Sequence, residues 1–131
     1  MKKNGVMNKE ISAVIAGMGH RDQIMICGSA FPIPDDAKRI DLALEPGLPG
    51  FLDVLRVVLK ELKVEDIMIA KETSEKSPKR FQEMVEMFPG IDPKVIPQSE
   101  LKEAAKNVKA CIRTGECTPF SNIILVSGVI F

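Results

Sequence analysis

The chain holds one histidine, His20, in the run Gly17-Met18-Gly19-His20-Arg21-Asp22. Imidazole is the side chain whose ordinary pKa, about 6.5, lets it give and take a proton near neutral pH. His20 directly follows a glycine that closes an apolar helical stripe. A surface cation favoured by a helix C-terminus would sit in the same place, so position alone leaves both readings open. Asp22 either orients the ring or is simply solvated. A second group of candidates, Gly115-Glu116-Cys117-Thr118-Pro119-Phe120-Ser121-Asn122, places a glycine, a proline, hydroxyls and an amide between two strand-like runs. Such a loop can present uncharged donors and acceptors, as a neutral polyol requires, or it can be a turn that joins strands. Phe120 offers either a flat face to a sugar ring or a plug for the core.

Other chemistries are excluded. The Gly17–Asp22 run is not a dinucleotide fingerprint, because its sixth position is Asp and its glycines follow a helix where a strand is needed. There is no GxxxxGK[ST] phosphate cradle and no GxSxG elbow. One histidine makes a histidine-built metal site improbable, and neither metal nor cofactor is expected. Cys27, Cys111 and Cys117 are odd in number and widely spaced, with no CxxC pair for zinc or redox work. Reduced thiols in the cytoplasm fit that usage, with Cys27 and Cys111 as small core residues in strands. Eighteen basic and eighteen acidic residues cancel, and Trp and Tyr are absent, so nucleic acid is not an expected partner. No apolar stretch approaches the roughly 18 to 20 residues of a membrane helix, so the chain is read as neither membrane-spanning nor exported.

The elements that must position these groups follow from periodicity. Ile11, Val14, Ile15 and Met18 mark a helix that Asn8 caps and Gly19 stops. Gln23–Cys27 reads as a strand, followed by a loop stiffened by Pro32 and Pro34. Ile40, Leu42 and Leu44 alternate as a half-buried strand, and Leu52, Leu55, Leu59 and Leu62 mark a second helix. Asp66–Ala70 is a third strand. Ser77 and Pro78 open a helix carrying Phe81, Met84, Val85 and Phe88 inward. Lys94–Ile96 is a weak strand, Ser99 caps a helix with Leu101, Ala104, Ala105 and Val108, and Ala110–Ile112 is a short strand. The run from Ile123 to Phe131 is too apolar for an open edge, so it lies at the centre of the sheet or under a partner subunit. With 131 residues, 45% of them hydrophobic, the sequence predicts one domain, 1–131, of the α/β class: layered α/β/α with a mixed sheet of about six strands.

At these residues the sequence resembles the D-ribose pyranases (ribose mutarotases), with the L-fucose mutarotases as more distant relatives. The matching stretches are Ile11 to Gly19 with His20 and Asp22, Phe31-Pro32-Ile33-Pro34, Arg39 to Leu44, Val64-Glu65, Ile112 to Leu125, and Gly128 to Phe131. They cover essentially the whole chain. The resemblance implies a ribose-pyranase-like fold and an isomerase that interconverts pyranose and furanose ribose, and its anomers, before a kinase phosphorylates the sugar. His20 falls on the family's acid/base histidine. Phe120, Ser121 and Asn122 fall on its substrate-binding tripeptide, Tyr-Ala-Asn or a close variant. Two positions depart from the pattern: Gly28 stands where the family usually has Asp, and Gln98 where it usually has a second histidine. Gln98 keeps a donor and an acceptor for sugar hydroxyls but loses proton transfer. Gly28 has no side chain to replace a carboxylate, which Asp35, Asp36 or a neighbouring subunit would then have to supply. A catalytically impaired sugar-binding or import-accessory homologue, or a mutarotase for another sugar such as fucose, is the alternative. The resemblance also implies a homodecamer of two stacked pentamers, with the sugar site between neighbouring subunits.

Overall fold

The computed structural model describes all residues, 1–131. Helix α1 spans Lys9–Gly17; the Asn8 side chain accepts the Ile11 N–H at 2.9 Å, and Ile11 is driven into the core. Strand β1 (Gln23–Cys27) follows, then β2 (Arg39–Asp41), helix α2 (Phe51–Val58), strand β3 (Val64–Ala70), helices α3 (Lys71–Lys76) and α4 (Pro78–Glu86), strand β4 (Lys94–Ile96), helix α5 (Gln98–Ala104), and strands β5 (Cys111–Arg113) and β6 (Ile123–Ser127). The six strands form one mixed sheet in the order β2-β5-β1-β6-β3-β4. β1 is parallel to β5, β5 to β2 and β3 to β4, whereas β6 is antiparallel to both β1 and β3. Five strands therefore point one way and β6 alone points back.

Alternate residues of this sheet feed two cores. On one face Ile24, Ile26, Ile67, Ile69, Ile123 and Leu125 pack against α1, α2 and α4; on the other Met25, Cys27, Met68, Ile124 and Val126 meet Leu101 and Ala105 and the Phe31 and Ile33 side chains. The layered architecture read from the sequence is thus present. β6 is the central, fully covered strand that its composition requires, and its five residues are all buried.

Several local expectations are corrected. The Ile40-Leu42-Leu44 alternation gives a strand of only three residues. The chain turns away after Asp41, and Leu44 stays 77% exposed. Helix α2 buries Phe51, Val54, Leu55 and Val58, so its stripe is rotated from the leucine spacing. Ser77 precedes Pro78 as expected, yet its hydroxyl does not cap α4; it donates to the Pro119 carbonyl at 2.7 Å. Ser99 does not cap α5, which already starts at Gln98. Helix α3 has no apolar stripe and is absent from the sequence reading.

Candidate active site

Because β1, β3, β4 and β5 run the same way, their carboxyl ends meet at one edge of the sheet, beside the amino end of β6. Open α/β sheets place ligand crevices at such an edge. Here it forms a pocket of about 490 Å³. Gly28 enters it from the end of β1, Gln98 from the start of α5, and Phe120, Ser121 and Asn122 from the loop between β5 and β6. These are five of the six residues the sequence singles out. Lys102, one turn after Gln98, joins them.

The β5–β6 loop is fixed by buried groups. Phe120 has a left-handed backbone, φ 59°, a strained conformation for a non-glycine residue that tight contacts must hold in place. Its carbonyl accepts the Thr73 hydroxyl at 2.8 Å, and the Pro119 carbonyl takes Ser77. The Ser121 hydroxyl accepts from Arg80 Nη1 at 3.0 Å, and Arg80 also meets Glu116 at 3.1 Å and lies over the Phe51 ring. Glu116 further accepts the Phe51 and Thr118 N–H groups and the Thr118 hydroxyl. Burial acts to raise the Glu116 carboxyl, but these hydrogen bonds outweigh it and hold it down at about 2. Phe120 belongs to neither core cluster and lines the pocket, so it is not a core plug.

Asn122 Oδ1 accepts the Gly28 N–H at 3.0 Å, which leaves the amide NH₂ as a donor at the pocket. Gln98 Oε1 is buried and has no partner, a costly state for an acceptor unless something fills it. Its backbone N–H is held by Glu72. At Gly28 the backbone is not left-handed, and an added Cβ would lie 3.3 Å from the Glu116 carbonyl, so a side chain needs only a small local shift.

His20 is elsewhere. It precedes β1, and the five residues of that strand alone span about 16 Å at ~3.3 Å each. At this opposite edge its Nε2 contacts Glu65 Oε1 at 2.9 Å and Oε2 at 3.1 Å, and Arg21 Nη1 donates to the same carboxylate at 3.0 Å. Asp22 does not orient the ring: its carboxylate accepts the Gly19 N–H at 2.8 Å and shapes the turn. The Arg21 hydrogen bond, with a smaller contribution from His20, keeps Glu65 below the usual carboxylate value despite some desolvation. Cys27 and Cys111 are buried strand residues, pushed up by that burial to about 12 and 11. No three His, Cys, Asp or Glu side chains converge as metal ligands.

Residues 1–130 of the 131 match the RbsD / FucU transport protein family. The chain belongs to that family. Among RbsD / FucU relatives, the D-ribose pyranase of Petrotoga mobilis is 48% identical and that of Lactobacillus gasseri 50% identical, each over 131 residues and 100% of both chains. The structure of Bacillus subtilis RbsD complexed with D-ribose aligns at TM-score 0.96 and 37% identity over 100% of both chains. The fucose mutarotase of Streptococcus pneumoniae, solved with L-fucose, reaches TM-score 0.78 at 21% identity over 99% of this chain and 100% of its own, which shows the shared fold. Sequence reasoning missed Arg80 and Glu65 in this RbsD / FucU chain, and it named Glu116 only as a member of the loop, without its ion pair. No local pattern marks these charged residues, and Glu65 was otherwise marked only by its place in a matching stretch.

Proposed function

We propose that this chain is a D-ribose pyranase, an isomerase of one sugar mutarotase domain spanning residues 1–131, that interconverts pyranose and furanose ribose. One observation carries the reading: Gly28, Gln98, Phe120, Ser121 and Asn122 converge on a single polar pocket in a chain that is 48% and 50% identical, over full length, to proteins named D-ribose pyranase. In the reaction the base takes the proton of the anomeric hydroxyl as the bond from C1 to the ring oxygen breaks, and a proton is delivered to that oxygen. The open aldehyde then recloses when the 4-hydroxyl attacks C1, losing its proton while the carbonyl oxygen gains one. His20 is the carrier of these protons. General acid-base catalysis contributes about 10²- to 10⁴-fold, enough for a step that already proceeds in water. Gln98 Oε1 and the Asn122 amide receive sugar hydroxyls, and Phe120 lies against the ring.

His20 cannot reach the pocket of its own chain, so the site is completed by His20 of a neighbouring copy, in a homodecamer of two pentameric rings. The full exposure of Ile130 and Phe131, which follow β6 at the His20 edge, supports a covering partner there. The unpaired Cys27 and Cys111 support a cytoplasmic setting, and no helix is long and apolar enough to cross a membrane.

Saturation-transfer NMR on ribose tests the reading. Wild-type protein accelerates exchange between ring forms, and His20→Ala slows that exchange about 10²-fold or more while retaining binding. Mixed oligomers of His20→Ala and Asn122→Ala chains recover part of the activity, because some sites then combine two intact halves. Ribose binding without any wild-type exchange would overturn the enzyme assignment in favour of a sugar-binding module.

A further inference from the structure

Two irregularities of the backbone and one glycine meet at His20, and all of them serve Glu65. Strand β3 pairs Val64 with Ser127 and Asp66 with Val126, so Glu65 is the extra residue of a β-bulge. Bulges re-aim a side chain, and here the carboxylate is turned toward the β1 entry turn. Arg21, at φ 72°, has one of only two left-handed backbones among non-glycine residues, and that turn brings its guanidinium onto Glu65. Gly128 leaves the room: a Cβ there would lie 3.0 Å from the Glu65 Cβ. Strained or bulged backbone is costly and persists where the surroundings hold it in place.

The geometry points to Glu65 as the positioning residue for His20, fixing Nε2 as the nitrogen that carries its hydrogen toward the carboxylate and leaving Nδ1 to move the substrate's protons. The inference rests on the reading of His20 as proton carrier and adds the nitrogen and its orienting partner. Both Glu65 oxygens lie within hydrogen-bond distance of Nε2, at 2.9 and 3.1 Å, and no other hydrogen bond engages the ring. A carboxylate is acceptor-only, so Nε2 donates and the lone pair of the neutral ring resides on Nδ1. When Nδ1 accepts the anomeric proton, the ring becomes a cation facing an anion; when it returns that proton to the ring oxygen, the neutral tautomer is restored. Arg21 holds Glu65 in line and ionised, and does not touch substrate.

The sole histidine makes the test clean. In full-length protein carrying ¹⁵N-histidine, one imidazole is observed. The expected neutral wild-type ring is the Nε2–H tautomer, with a bonded Nε2 proton protected from exchange with water. Glu65→Ala loses that protection and lowers kcat about tenfold to a hundredfold, a part of the worth of acid-base catalysis, with KM for ribose within about twofold. Glu65→Gln, which keeps an acceptor oxygen, recovers the protection and part of kcat. Adding Glu65→Ala to His20→Ala costs nothing further, since the partner is already gone. A dominant Nδ1–H tautomer, or Glu65→Ala at wild-type kcat while His20→Ala is inactive, overturns the inference and leaves His20 as proton carrier. Wild-type kcat in both single variants overturns that underlying reading as well.

Discussion

At the carboxyl end of β1, Ser121 and Asn122 are 1% and 5% exposed, and the side chains of Thr73 in α3, Ser77 between α3 and α4, and Arg80 in α4 bond the loop, while Asn122 accepts the Gly28 N–H. At the amino end, the His20 side chain is 53% exposed and a single carboxylate holds it. Each end contains one left-handed non-glycine residue, Phe120 in the first and Arg21 in the second. The pocket end is set before any ligand arrives, because Arg80, Glu116 and Thr73 lock it from behind. The histidine end is shaped by backbone but left open to solvent. The proposed function assigns binding and proton transfer to these opposite edges of the same sheet.

The comparison can be broken at its open end first. Trimming Val129 to Phe131 lowers the oligomeric state and abolishes ribose exchange together, read by light scattering and NMR on the same sample. An active, monodisperse monomer would show that the two ends need no partner. At the closed end, Arg80→Met leaves the partly buried Glu116 without its cation and the Ser121 hydroxyl without its donor. Stability falls by about 2 kcal/mol in urea unfolding, below the cost of breaking a fully buried pair because both side chains keep some exposure. Glu65→Ala, at the exposed end, leaves the urea midpoint unchanged by comparison.

Gly28→Asp sharpens the contrast from inside the pocket. A charge-assisted hydrogen bond to a sugar hydroxyl contributes about 1.5 to 3 kcal/mol. Part of that is spent moving the Glu116 carbonyl, 3.3 Å from the new Cβ, so ribose binding tightens by on the order of 1 kcal/mol in calorimetry. Acid acts on the same closed end. Glu116 is held down at about 2 in the folded chain, below its ordinary carboxylate value. Its contribution to stability is therefore present above that ordinary range and fades as pH falls from there through about 2. Urea unfolding of Glu116→Gln should lack this slope between roughly pH 4.5 and 2.

Much of this frame was legible in the sequence. The Asn8 cap, the β1 run and the central β6 each combine a local signal with an apolar pattern that burial rewards. What stayed hidden was tertiary. Lys71–Lys76 is a helix whose one buried residue is Thr73, and no stripe announces it. Ser77 has the residue type of a cap, but the Pro119 carbonyl takes its hydroxyl, so the local preference loses to a distant partner. Glu65, Arg80 and Glu116 gain their roles only from neighbours far along the chain. Gly28, Gln98, Phe120, Ser121 and Asn122 line one pocket and His20 lies at the opposite edge; the resemblance implied a site divided between subunits, but the edge on which each group falls depends on strand direction, which no local pattern states.

The reversed strand β6 has a consequence for how the protein is made. Without residues 123–127, β2, β5 and β1 form one half-sheet and β3 and β4 another, with no ladder of hydrogen bonds between them. During vectorial synthesis every other strand leaves the ribosome before the one that joins them. Until then the nascent chain presents two apolar strand edges, at β1 and β3, of the kind that pair with foreign strands. Docking of β6 closes both edges in one event, so the sheet is joined only when its last strand has been made.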